Sequence, residues 1–151
     1  MICLEDKFKK TEYHLYNYKD IDKLNRLDEI KIKQLENDIT LSAVQYDKDS
    51  ISKTNAFHSS VEDEAIKRED HNIKRRIEYL RADIVKRNLE KELIETAIDI
   101  LPVDDRKLIE LRYFSNPTNQ WNAIANKLNI AYDTCMKNRT KIINKLSDYI
   151  G

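Results

Sequence analysis

Lys137 and Asn138 are neighbours in a stretch, Tyr132 to Tyr149, that reads as one helix, and Tyr132, Asp133, Thr134 and Lys141 belong to the same outward side. These residue types form hydrogen bonds rather than make or break covalent ones. A lysine donates to guanine O6 or N7, an asparagine pairs with adenine, and an aspartate accepts from the cytosine amino group. Tyr132 can pack on a thymine methyl or bond a phosphate. When such a helix enters a major groove, its N-terminal residues meet the base edges first. Arg139 and Lys145 suit phosphate oxygens, as do Asn119 and Gln120 at the start of the preceding helix.

Catalytic and metal chemistry find less support. His14, His58 and His71 are scattered, and neither Cys3 nor Cys135 has a spaced His or Cys partner of the kind zinc requires. With Gly151 as its single glycine, the chain has no glycine-rich phosphate loop. Asp104 and Asp105 fit a helix start better than a pair of catalytic carboxylates. His58 beside Ser59 and Ser60 lacks an orienting acid nearby in sequence. The expectation is a protein that is not an enzyme and holds no metal or cofactor.

The elements that must position the outward residues lie in "WNAIANKLNIAYDT", Trp121 to Thr134. Two short helices joined by a three-residue turn form a helix-turn-helix only if three demands are met. The first helix needs a small residue where the second crosses it, and Ala125 supplies one. The turn usually passes through a left-handed backbone conformation, and Asn129 is the best non-glycine residue for that place. Ile130 then plugs the core between the helices, and Cys135, Ile142 and Leu146 face it from the second helix, with Ile143 and Tyr149 flanking. Ala131 at the capping position is a weakness of about 1 kcal/mol, partly recovered by Asp133 in the first turn. The alternative is a plain helical hairpin whose lysines are a solvated face. The Trp121–Ala125–Leu128–Ile130 pattern and the local charge weigh against it.

Charge is distributed unevenly although the whole chain is neutral. Residues 1–60 are −1, residues 61–101 are −2, and residues 102–151, with 8 Lys/Arg against 5 Asp/Glu, are +3. A basic footprint therefore belongs to the last third. Only Pro102 and Pro117 interrupt the chain before Gly151, so an all-α fold is expected. The prolines isolate one short helix, for which Asp104 is a good cap; Thr118 or Asn119 can cap the next. Leu4 to Leu41 reads as an amphipathic segment with Ile21, Leu24, Leu27, Ile32, Leu35 and Ile39 near one face. Ser42 to Ser60 reads as a polar connection, and a second long helix begins at Val61. On that helix Ile66, Ile73, Ile77, Leu80 and Ile84 share a face that drifts through Leu89, Leu93 and Ile94 to Ile98 and Leu101. Tyr13, Tyr16 and Tyr18 read as packing residues. The division expected is 1–90, a helical partner or dimerisation module (hairpin or coiled coil), and 91–151, a DNA-binding domain able to fold alone from about Lys91. The apolar stripes can pair within one chain or between two, and a homodimer through the N-terminal helices is preferred.

The stretch "LPVDDRKLIELRYFSNPTNQWNAIANKLNIAYDTCMKNRTKIINKL" resembles region 4 of sigma-70-type factors. It is still more similar to phage late transcriptional regulators of the ArpU and RinA type, which share that domain. The matching residues are the "DDRKLIELRYF" helix, Trp121, "IANKLNI" and the basic last helix. "LYNYKDIDKLN", the polar connection and the second long helix fit the same layout. Ala131 departs from the Ser/Thr usual there, and Asn138 from a frequent aromatic. The resemblance implies a promoter-region DNA-binding protein of phage or prophage origin, with double-stranded DNA and RNA polymerase as partners.

The free thiols, the charged start "MICLEDKFKK" and the lack of a long apolar run point to a protein of the bacterial host cytoplasm with no membrane partner. The expected function is a sequence-specific transcription regulator reading the major groove with helix 132–149. The rival readings are a helical, anti-sigma-like adaptor and a phage DNA-packaging recognition subunit.

Overall fold

The protein is all-α. A computed structural model describes residues 3–51 and 60–151, and among these there is no strand. Six α-helices follow in order: α1 (Leu4–Tyr18), α2 (Ile21–Ile51), α3 (Ser60–Asp99), α4 (Val103–Ile109), α5 (Trp121–Lys127) and α6 (Tyr132–Ile150). The end of α4 widens into a π-helical turn, Glu110–Phe114, and the Asn116–Pro117 peptide is cis. Two compact units divide the chain: Met1–Asp22 with Arg87–Gly151, and Lys23–Lys86.

The boundaries differ from those the sequence suggests, and the cause is α1. Instead of running on to Leu41, the first segment stops at Tyr18, where the Lys19 N–H bonds Asn17 O and the chain restarts at Ile21. Leu15 and Thr11 on α1 are fully buried, and Leu15 joins a core made of Ile94, Ile98, Leu101, Leu108, Ile109, Tyr113, Ile124, Cys135, Ile143 and Leu146. Helix α1 therefore belongs with the C-terminal helices. Tyr16 meets Tyr113 at 4.6 Å between ring centroids and Tyr18 meets Phe114 at 4.3 Å, both favourable aromatic geometries. Tyr13 departs from expectation: it is largely exposed.

The second unit is a hairpin of α2 and the first part of α3. Arg81 Nη2 donates to Glu36 Oε1 at 2.9 Å, and Lys31, Gln34, Leu35 and Asp38 line a shallow recess with Arg76, Tyr79 and Leu80, so the helices run antiparallel. Ile32 and Ile77 are buried, while Leu35, Ile39, Ile73, Leu80 and Ile84 are half-buried. The two stripes thus meet within one chain. Leu24, Leu27 and Ile66, expected on the packed faces, are exposed. The seam of α2 runs Ile21, Asn25, Asp28, Ile32, Leu35, Ile39, a repeat of four and three that keeps one side of a helix against a partner. The expected connection from Ser42 is helical as far as Ile51, and 52–59 lies outside the described residues.

Candidate nucleic-acid interface

Helices α5 and α6 are joined by Leu128, Asn129 and Ile130, and Asn129 has φ 55, the left-handed conformation expected there. Its N–H bonds Asn126 O at 3.2 Å, and the next N–H, of Ile130, reaches Ala125 O at 3.1 Å, which closes the end of α5. Ala125 is buried where the helices cross, and Ile130 packs on the core. Ala131 is the N-cap of α6 and makes no side-chain cap bond, as its type requires.

Helix α6 has a clean division of faces. Cys135, Ile142, Ile143, Leu146 and Ile150 are buried; Ile150, not Tyr149, completes the stripe, and Tyr149 is half exposed. Burial pushes the Cys135 thiol above its usual range. The outward side carries Asp133, Thr134, Lys137, Lys141 and Lys145, all exposed; Tyr132, exposed at the helix start, stands seven residues before Arg139 and so in line with the inward face. Thr134, Lys137, Asn138, Lys141 and Asn144 line one open, shallow surface along the helix. Asn138 is half-buried and also borders a small recess with Asp104, Asp105, Leu108, Leu128 and Ile130, so it stands at the edge of the outward face.

Three of the expected polar roles fall elsewhere. Arg139 does not face solvent as a phosphate contact: it donates from Nη2 to Glu12 on α1, and its guanidinium lies 5.3 Å from the Trp121 ring and 5.2 Å from Phe8. Position 139 follows Cys135 by four and precedes Ile142 by three, which puts it on the inward face of α6. Asn119 is likewise engaged inside the fold. Its Nδ2 donates to Leu111 O at 2.8 Å, and its carbonyl accepts from Arg112 Nη1 at 2.6 Å. Gln120, exposed, is therefore the N-cap of α5, although its side chain makes no cap bond. At α4 the cap is Pro102, with Asp104 and Asp105 in the first turn, where they favour the positive end of the helix.

Trp121 is held between two cations. Arg112 lies 4.8 Å from its ring centroid and Arg139 5.3 Å, and Arg112 Nε also donates to the Tyr16 hydroxyl at 2.9 Å. These contacts tie α1, the π-helical turn and α5 to the inward side of α6. Further along α1, Tyr18 donates to Glu95 Oε1 at 2.6 Å; desolvation first, and this bond second, push the phenol up to about 12. His14 Nδ1 meets Glu90, and Lys91 Nζ reaches Asp22 at 3.0 Å. The role of α1 is a feature that sequence reasoning missed.

Among the described residues no helix is long and apolar enough to cross a membrane. No group of three or more His, Cys, Asp or Glu among them is arranged to hold a metal ion. Neither a curated protein nor a solved structure matches the chain. The family described as "Protein of unknown function (DUF722)" matches residues 22–148, which is most of the chain, and the protein belongs to that family.

Proposed function

We propose that the protein is a sequence-specific transcription regulator of phage or prophage type, which binds double-stranded DNA by placing α6 in the major groove. The observation that carries this reading is the α5–α6 hairpin, with Asn129 at φ 55 and Lys137, Lys141 and Lys145 exposed on the outward side of α6. A hairpin of this shape offers the N-terminal half of its second helix to base edges. Thr134, Lys137 and Lys141 are the base-edge group, Tyr132 and Asp133 lie at the entering end, and Asn138 borders them. Lys145 and Gln120 are the phosphate contacts. RNA polymerase is the further partner that the resemblance to ArpU- and RinA-type regulators implies, in the cytoplasm of a bacterial host.

The test is a titration of the full chain against promoter-derived and random duplexes at several salt concentrations. Affinity should fall steeply with salt as neutralised phosphates release counterions. Lys137→Ala should cost roughly 1–3 kcal/mol on a specific site and relax preference at one position. A folded chain that ignores all duplexes at low salt would sink the proposal. One observation favours a second reading, a helical adaptor for another protein. The unit holding α6 carries 14 Lys/Arg and 14 Asp/Glu in all, so the lysines of α6 belong to a unit with no net positive charge. The same titration separates the two, because an adaptor shows no salt-dependent affinity for DNA.

A further inference from the structure

Two asparagines border the outward side of α6, and only one of them shares the phase of its lysines. Lys141 and Asn144 follow Lys137 by four and seven residues. At ~100° per residue, seven residues fall about 20° short of two full turns, so Asn144 stands almost in line with Lys137. Asn138 is turned about 100° away from Lys137, half-buried at the recess it shares with Asp104 and Asp105. Asn144 is exposed and lines the same open surface as Thr134, Lys137 and Lys141.

The chemistry of the stripe singles Asn144 out further. A lysine ammonium offers donors alone, and a threonine hydroxyl bonds a donor or an acceptor with equal ease. A carboxamide sets a donor beside an acceptor, which is the complement of adenine N7 and its 6-amino group in the major groove. Ser147 Oγ donates to the Asn144 main-chain carbonyl at 2.6 Å, and among the described residues the Asn144 side-chain amide has no hydrogen-bond partner. The next residue in phase is exposed Asp148, whose carboxylate repels phosphates and ends the basic stretch. From Lys137 to Asn144 the helix advances ~10.5 Å, about three base-pair rises. A reading helix touches bases over a span of this length.

Resting on the DNA-reading proposal above, we infer that Asn144 reads an adenine. The target is then a duplex with an A·T pair within about three base pairs of the pair that Lys137 reads.

Selection by the full chain from a pool of randomised duplexes tests the assignment, and the wild type should recover such an A·T pair. Asn144→Ala should weaken the selected site roughly tenfold and lose preference at that pair. Asn138→Ala should keep the preference, and Asn144→Gln, which can make the same pair, should keep part of it. Replacing the adenine by 7-deazaadenine, which carries carbon in place of N7, probes the contact without altering the protein. The wild type should lose affinity for the deaza duplex severalfold, and Asn144→Ala should show no further loss, because the two changes remove one contact. A preference retained in folded Asn144→Ala, or a wild type indifferent to the deaza base, overturns the assignment and leaves DNA reading standing. A preference lost in Asn138→Ala instead does the same. A folded chain that ignores every duplex overturns the DNA-reading proposal, and this assignment with it.

Discussion

Leu15→Ala is the substitution that shows whether α1 is a structural part of the unit carrying α6. Leu15 has no exposed surface, and it belongs to a core cluster whose other members come from α3, α4, the π-helical turn, α5 and α6. Removing three heavy atoms there leaves a cavity that the surrounding helices cannot fully close, at a cost of about 2–5 kcal/mol. At the middle of that range, about 3 kcal/mol, a domain of this size loses ~12–24 °C of melting temperature. The readout is Trp121 fluorescence, since Trp121 is the only tryptophan and sits between Arg112 and Arg139 in that unit. Tyr13→Ala is the control, two residues away on the same helix but 66% exposed, and should stay within about 0.5 kcal/mol. By the same reasoning a fragment from Lys91 to Gly151 lacks Leu15 and Glu12 and should not melt cooperatively. Equal melting of the Leu15 and Tyr13 variants, or a cooperative transition in that fragment, would refute the placement of α1.

Arg139→Ala and Lys145→Ala should act oppositely. The first leaves Glu12 unpaired at a site where the two side chains are 26% and 12% exposed, and should destabilise by about 1–3 kcal/mol after allowance for that exposure. The salt dependence of DNA binding by the folded variant should not change. Lys145→Ala should leave melting unaltered and reduce the salt slope by about 0.9. Asn129→Gly should be tolerated, whereas Asn129→Val should cost about 1–2 kcal/mol, because a β-branched residue resists φ 55; thermal melts decide. Cys3 is exposed, and Cys135 is buried with its thiol pushed up, so a thiol reagent at neutral pH should titrate one cysteine in the native chain and two in denaturant.

The helical hairpin was legible from sequence because its demands are local. Ala125, Asn129, Ile130 and the 135–142–146 stripe each follow from spacing and backbone preference alone. Other features left signals that are harder to weigh. The apolar face of α1 runs through Phe8, Thr11 and Leu15, and that of α2 starts at Ile21. Six residues from Leu15 to Ile21 turn a helix by about 240°, so one straight helix cannot present both to a single neighbour. On α2, buried Asn25 and Asp28 occupy the seam, which shifts an apolar-only reading onto exposed Leu24 and Leu27. Arg139 could have been assigned inward from its place between Cys135 and Ile142, but lysine and arginine on a basic helix invite an outward reading. That Glu12 would be its partner depends on tertiary packing, and no pattern in the sequence carries it.

Helix α1 packs on α6 across most of the length of the chain, and that separation bears on the order of folding. Contacts between residues close in sequence form first, because closing a long loop costs entropy before any contact rewards it. The α2–α3 hairpin, whose Glu36 and Arg81 are 45 positions apart, therefore closes before α1 docks on α6. Once zipped, it brings Asp22 and Lys91, which stand 69 positions apart, to the 3.0 Å at which they pair. A closure over dozens of flexible residues becomes a short one. On the ribosome α1 emerges long before α6 and must wait, with Leu15 uncovered, until the last helix is made. A chaperone that engages this chain during synthesis has that short segment as its earliest target.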